Sequence, residues 1–259
     1  MTSPSAPQPT AQTECSQPPA ARTFPVHHHP TSSAPDPQLR LETLLVRSGT
    51  GTDPATGAIT TPIHLSTAYG HPGLGESTGY DYTRTASPTR DVLQDALARL
   101  EGGTAAFALS SGMAALELVT RTLAPHGSRI VALRDLYGGS FRFLEVLAEE
   151  GAADVDFVLG IKGLREALAA PADLVIIETP TNPMMEEIPI PEAAELARAA
   201  GARLVVDNTF YTPVVQRPLE LGADVVVHSG TKYLGGHNDV MEGVAVVADD
   251  ALAEQLNYR

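Results

Sequence analysis

Ala223-Asp224-Val225-Val226-Val227-His228-Ser229-Gly230-Thr231-Lys232 opens as an apolar, β-branched run and ends in a polar turn that carries a lysine. Arg203-Leu204-Val205-Val206-Asp207 has the same form and ends on a carboxylate 25 residues before Lys232. Short runs with little alternation are what strands covered on both faces look like. Others occur at Arg129-Ile130-Val131-Ala132-Leu133, Val155-Asp156-Phe157-Val158 and Asp173-Leu174-Val175-Ile176-Ile177, with a last strand from Gly243 to Ala248. Amphipathic stretches such as Pro191 to Ala200 lie between them, and after Pro88 the residues Val92, Leu93, Ala96, Leu97 and Leu100 recur at helical spacing as far as Gly102-Gly103. Proline suits the first turn of that helix. The alternation predicts an α/β fold, a mostly parallel sheet flanked by helices. The polar segments sit at or after the strands' carboxyl ends, where open α/β sheets bind ligands.

Upstream the pattern weakens. Residues 39–87 are less regular and read as an N-terminal arm, ahead of a large sheet domain over 88–259. Residues 1–38 hold nine of the 21 prolines among Ser, Thr, Gln and Ala, a composition that buries little and predicts disorder. The tail carries the single cysteine, Cys15, which excludes an internal disulfide, and His27-His28-His29, which no carboxylate or cysteine cluster supports as a metal site. A net charge of −14 argues against nucleic acid or an anionic membrane as partner. No apolar run approaches bilayer-spanning length and no signal segment opens the chain, so a cytoplasmic enzyme with 43% hydrophobic residues is expected.

Lys232 and Asp207 suggest the chemistry. A lysine amine in a dry pocket forms a Schiff base with an aldehyde cofactor, and a carboxylate facing a pyridine nitrogen keeps it protonated so that the ring accepts electrons. Taken singly, Lys232 also reads as a solvated loop lysine and Asp207 as a helix cap. Their neighbours alter the balance. Val206-Asp207-Asn208-Thr209-Phe210, His228 to Asp239, Tyr80-Asp81-Tyr82-Thr83-Arg84, Ser110-Ser111-Gly112-Met113, Asp135-Leu136-Tyr137-Gly138-Gly139 and Glu178-Thr179-Pro180-Thr181-Asn182-Pro183 stand in one order. From about Leu41 onward the sequence resembles the Cys/Met-metabolism family of pyridoxal phosphate enzymes. The resemblance implies pyridoxal 5'-phosphate as cofactor and the large-domain fold of the aspartate aminotransferase type. It implies Lys232 as the carrier, Asp207 beside the ring nitrogen with Thr209 next to it, and Tyr137 stacked on the ring. Asn182 would meet the 3-oxygen. Ser111, Gly112 and Met113 open a helical pattern whose free N–H groups suit a phosphate, with Ser229 and Thr231 as further donors. Tyr82 and Arg84 would reach that phosphate from a neighbouring subunit in a homodimer or homotetramer, with the arm embracing the partner.

Two departures stand out. The family continues into a smaller C-terminal domain that grips the substrate carboxylate, and this sequence stops at Arg259, so a truncated member with impaired turnover is expected. Glu242 stands where relatives have a small residue, and an acid buried there without a partner would be costly. Among the family's reactions, Gly139 argues against methionine γ-lyases, which carry cysteine there. The surrounding motifs resemble bacterial cystathionine γ-synthases that also act as O-acetylhomoserine thiolyases, which implies γ-replacement on an O-acyl-homoserine with cysteine. A cystathionine β- or γ-lyase is the alternative, and a non-catalytic cofactor-binding or dimerising remnant is the alternative of another class.

Overall fold

A computed structural model describes residues 39–50, 53 and 55–259. The tail expected to be disordered, Cys15 and the three-histidine tract therefore lie outside the described residues. In chain order the elements are α1 (Leu41–Arg47), α2 (Pro88–Glu101), β1 (Ala105–Leu109), α3 (Gly112–Leu123), β2 (Ser128–Leu133), α4 (Gly138–Glu149), β3 (Ala153–Val158) and α5 (Gly160–Ala167). There follow β4 (Leu174–Glu178), α6 (Ile190–Ala199), β5 (Arg203–Asp207), α7 (Thr212–Val215), β6 (Val225–His228), β7 (Gly243–Val247) and α8 (Asp250–Tyr258).

The seven strands form one sheet in the order β1-β7-β6-β5-β4-β2-β3. β7 runs antiparallel to both of its neighbours, and the other pairings are parallel. The expectation of a mostly parallel sheet holds. Strands β4, β6 and β7 are buried at every residue, because helices cover both faces, which is why their sequences show no polar alternation. One apolar cluster joins β2, β4, β5 and β6 to the inner sides of α4 and α6 through Leu144, Ala193 and Ala197. A second joins Leu97 and Leu100 of α2 to Val226, Val244 and Val246.

α2 begins as expected with proline in its first turn and ends at Gly102, whose φ of 75° is the left-handed conformation that glycine adopts at a helix end without strain. The arm is less free than its irregular sequence suggests. Leu41, Leu44 and Leu45 pack on the second cluster, the His64 N–H donates to Thr89 Oγ1 at 2.8 Å, and the Tyr80 hydroxyl donates to Asp91 Oδ2 at 2.9 Å. Among the described residues no helix is long and apolar enough to cross a membrane.

Candidate active site

Parallel strands deliver their carboxyl ends to one edge of the sheet. There a cavity of about 510 Å³ is lined by Ser111, Gly112 and Met113 after β1, Tyr137 after β2, Glu178 and Asn182 after β4, Asp207 and Thr209 after β5, and Ser229, Thr231 and Lys232 after β6. Ten separately expected site residues thus converge with Glu178 on one wall system. Tyr82 and Arg84 do not join them: both are exposed on the arm, with the Arg84 guanidinium 5.2 Å from the centre of the Tyr82 ring.

The start of α3 forms the first wall. Ser111 caps that helix by accepting the Ala114 N–H at 3.1 Å, which leaves the Gly112 and Met113 N–H groups of the first turn without helical partners. Gly112 is required by proximity, since a Cβ there would lie 2.9 Å from Ser229 Cα. The helix start and the lysine loop are in contact.

Asp207 is held from its own loop. Its Oδ1 accepts the Thr209 N–H at 3.0 Å and the Thr209 hydroxyl at 2.5 Å, and that hydroxyl accepts the Ser229 N–H at 2.8 Å. Thr209 therefore ties the carboxylate to the lysine loop. Burial pushes the Asp207 carboxyl above the ordinary carboxylate range, while the two Thr209 donors and nearby His228 oppose the shift. The helix-cap alternative for Asp207 is not what the structure shows.

The Thr231 hydroxyl donates to the Glu242 carbonyl at 3.2 Å and accepts the Glu242 N–H at 2.9 Å, so its proton is committed to the start of β7. Lys232 departs from the dry-pocket expectation. Its side chain lines the cavity yet is exposed, as are Tyr233, at 64%, and Gly236, Asn238 and Met241 of the following loop, which share the lining.

Tyr137, 49% exposed, stands over the cavity. Its backbone N–H donates to Glu178 Oε2 at 2.6 Å, and a Cβ on Gly139 would lie 2.4 Å from its ring. Among the described residues no group of three or more His, Cys, Asp or Glu side chains is placed to hold a metal ion.

The sequence and fold that build this edge are matched in known proteins. The sequence pattern of the family described as Cys/Met metabolism PLP-dependent enzyme fits residues 42–259. The chain belongs to that family. It is 46% identical over 224 residues to the cystathionine gamma-synthase/O-acetylhomoserine (thiol)-lyase of Bacillus subtilis, covering 83% of this chain and 58% of that protein. It is 42% identical over 223 residues to the cystathionine beta-lyase of Coxiella burnetii, covering 84% of this chain and 57% of that one. The crystal structure of cystathionine gamma synthase from Xanthomonas oryzae pv. oryzae in complex with aminoacrylate and cysteine superimposes with a TM-score of 0.82 at 42% identity, over 85% of this chain and 57% of that chain. The chain thus spans a little under three fifths of the length of the relatives it matches.

The family's expected fold is the observed one. Sequence reasoning passed over Glu178, although it opens a quoted motif, because nothing local shows that its carboxyl enters the cavity. It also passed over Phe210, Asn238 and Met241, which line the same space. Their motif positions beside Asp207 and Lys232 were the available signal.

Proposed function

We propose that this chain binds pyridoxal 5'-phosphate in the 510 Å³ cavity and works in trans-sulfuration, by γ-replacement on an O-acyl-homoserine with cysteine as the incoming thiol. The observation that carries the reading is the convergence of Lys232, Asp207 and Tyr137 from three different strand ends on one space. The donor set suits the cofactor group by group. The Gly112 and Met113 N–H groups and the Ser229 hydroxyl suit a phosphate, with Thr231 holding the loop that presents them. Tyr137 offers a flat face for the ring, Asn182 an amide for its oxygen, and Asp207 a hydrogen-bonded carboxylate for its nitrogen. Bound there, the cofactor would supply an electron sink for the substrate's α-carbon.

This chain's own groups do the rest. The Lys232 amine would hold the cofactor and then move the proton between neighbouring carbons of the substrate. Asp207, steadied by Thr209, would keep the ring nitrogen protonated. Tyr137 would cover the ring and shed water from one face. Tyr82 and Arg84, remote from their own cavity, fit service to the cavity of a second copy in a homodimer or homotetramer, and the guanidinium fork suits a phosphate. A cytoplasmic setting accords with a metabolic enzyme of this kind.

Resemblance to the Bacillus subtilis synthase favours replacement, and the glycine at 139 argues against the methionine γ-lyase branch. The Coxiella burnetii relative keeps elimination of cystathionine as the second reading. A visible absorption band formed on adding pyridoxal phosphate, lost in Lys232→Ala and shifted by O-acetylhomoserine, is the expected result. A lysine-dependent band indifferent to substrate would leave a cofactor-binding chain without this activity, and no band would overturn the proposal. Cystathionine formed from O-acetylhomoserine and cysteine supports replacement; 2-oxobutyrate released from cystathionine without synthesis would assign the lyase.

A further inference from the structure

Glu178 ends β4 directly beside Asp207 at the end of β5, for the two are register partners in neighbouring parallel strands. Both side chains enter the same cavity. Glu178 is 4% exposed, so its carboxyl has almost no water to stabilise a charge. Two carboxyls abreast in such a place cannot both ionise cheaply, and one proton is left for the pair. Which of them carries it follows from their donors. Asp207 Oδ1 accepts two hydrogen bonds from Thr209, at 3.0 and 2.5 Å, and both favour its charged form. Glu178 accepts one, from the Tyr137 N–H at 2.6 Å. Asp135, on the loop after β2, also acts against a charge on Glu178, whereas His228 at the end of β6 supports one on Asp207. Lys232 lines the same cavity.

We propose that Glu178 is a positioning residue of the site: it holds the proton it shares with Asp207, so that Asp207 stays the anion, and through the Tyr137 N–H it fixes the ring that covers the cavity. The role rests on the cofactor reading only for its purpose; the proton sharing is a property of the chain alone. It separates the work of two acids. Asp207 stays charged for a ring nitrogen, and Glu178, neutral, avoids a second charge that would compete for it while its carboxyl oxygen anchors the first turn of α4. Burial raises both carboxyls; Asp207 adds to the rise of Glu178, to about 8, whereas the two Thr209 donors and His228 hold Asp207 back.

The test begins without cofactor. An infrared titration of the 259-residue chain should show a protonated-carboxyl band that disappears near pH 8, is absent in Glu178→Gln, and titrates at lower pH in Asp207→Asn, where the neighbouring charge is gone. Absence of a titrating band, or its survival in Glu178→Gln, would overturn the proton sharing whatever the cofactor does. Cofactor is then added at pH 7. Glu178→Gln, which keeps a neutral acceptor for the Tyr137 N–H, should match the parent's affinity and circular dichroism in the cofactor band within about twofold. Glu178→Ala should bind about tenfold more weakly, the loss of roughly 1.4 kcal/mol expected for one hydrogen bond in a buried site, and its dichroism should change. Equal damage by Gln and Ala would overturn the positioning role. A parent chain that forms no cofactor band while its infrared titration behaves as stated would sink the cofactor reading and leave the proton pair standing.

Discussion

His228 Nε2 lies 2.6 Å from Glu101 Oε1, and both side chains are closed to water. The contact joins the last residue of α2 to the last residue of β6, across 127 positions of sequence. Glu101 Oε1 also accepts the Asn208 amide at 2.9 Å, and Asn208 is bonded in turn to Gln216. The loop after Asp207 and the loop before Lys232 are therefore anchored to one buried carboxylate. The remaining atoms, Glu101 Oε2 and His228 Nδ1, find no hydrogen-bond partner among the described residues, so loss of the imidazole would leave Glu101 with the Asn208 amide alone. His228→Leu or Glu101→Leu should each cost about 1–3 kcal/mol in urea unfolding, the range for a buried polar group left without its partner. The double substitution should recover much of it. Single losses below about 1 kcal/mol would show the contact to be incidental.

Stability should fall with rising pH because of Glu178. Its folded-state pKa of about 8 exceeds the ordinary 4.5, so between those values the folded chain binds more protons than the unfolded chain. Stability from this group is fully present below about pH 4.5 and is lost as pH rises through 8, by at most about 1.4 kcal/mol per unit. Asp207, also raised, acts in the same direction. Thermal midpoints of the cofactor-free chain from pH 5 to 9 would check this; Glu178→Gln, neutral throughout, should flatten the decline. An unchanged slope in the variant would assign the effect elsewhere.

Much of this architecture is legible in sequence because strands covered on both faces announce themselves as apolar runs. The ends of β5 and β6, and with them Asp207 and Lys232, follow from that alone. The antiparallel direction of β7 does not, since residue pattern carries burial and not strand direction. Thr209's bond to Asp207 spans two residues and is a local side-chain turn of a recognisable kind. The Glu101–His228 and Glu178–Tyr137 contacts span 127 and 41 residues, and only the folded chain brings such partners together. The exposure of Lys232 was equally hidden, because the dryness of a pocket belongs to its surroundings and not to the lysine.

Gly139 should govern the ring of Tyr137. A Cβ there would lie 2.4 Å from Tyr137 Cε1 and 3.1 Å from Met113 Sδ. The ring is half exposed and can swing outward, so Gly139→Ala should change stability by less than about 1 kcal/mol. Pyridoxal phosphate affinity, read from the visible band, should fall about tenfold as the stacking face leaves the cavity. A large loss of stability with intact affinity would mean that α4 has moved instead of the ring.

Glu242 divides into a useful backbone and a costly side chain. Its N–H and C=O bracket Thr231 through the hydroxyl and the Thr231 N–H. Its half-buried carboxyl has one oxygen, Oε1, shut away from water without a hydrogen-bond partner among the described residues, and burial raises its pKa. A raised carboxyl costs most once it must ionise. Glu242→Ala should therefore leave the bracket intact and stabilise the chain more at pH 8 than at pH 5. Gly230 is coupled to this site, since a Cβ on it would lie 2.9 Å from Glu242 Cδ. In the parent, Gly230→Ala should cost about 1–3 kcal/mol by overpacking. With Glu242 already shortened the same methyl has room, so most of that cost should vanish and the two changes should be non-additive. Additive effects in urea unfolding would show that the carboxyl is free to swing aside, and that the space at Gly230 serves something other than Glu242.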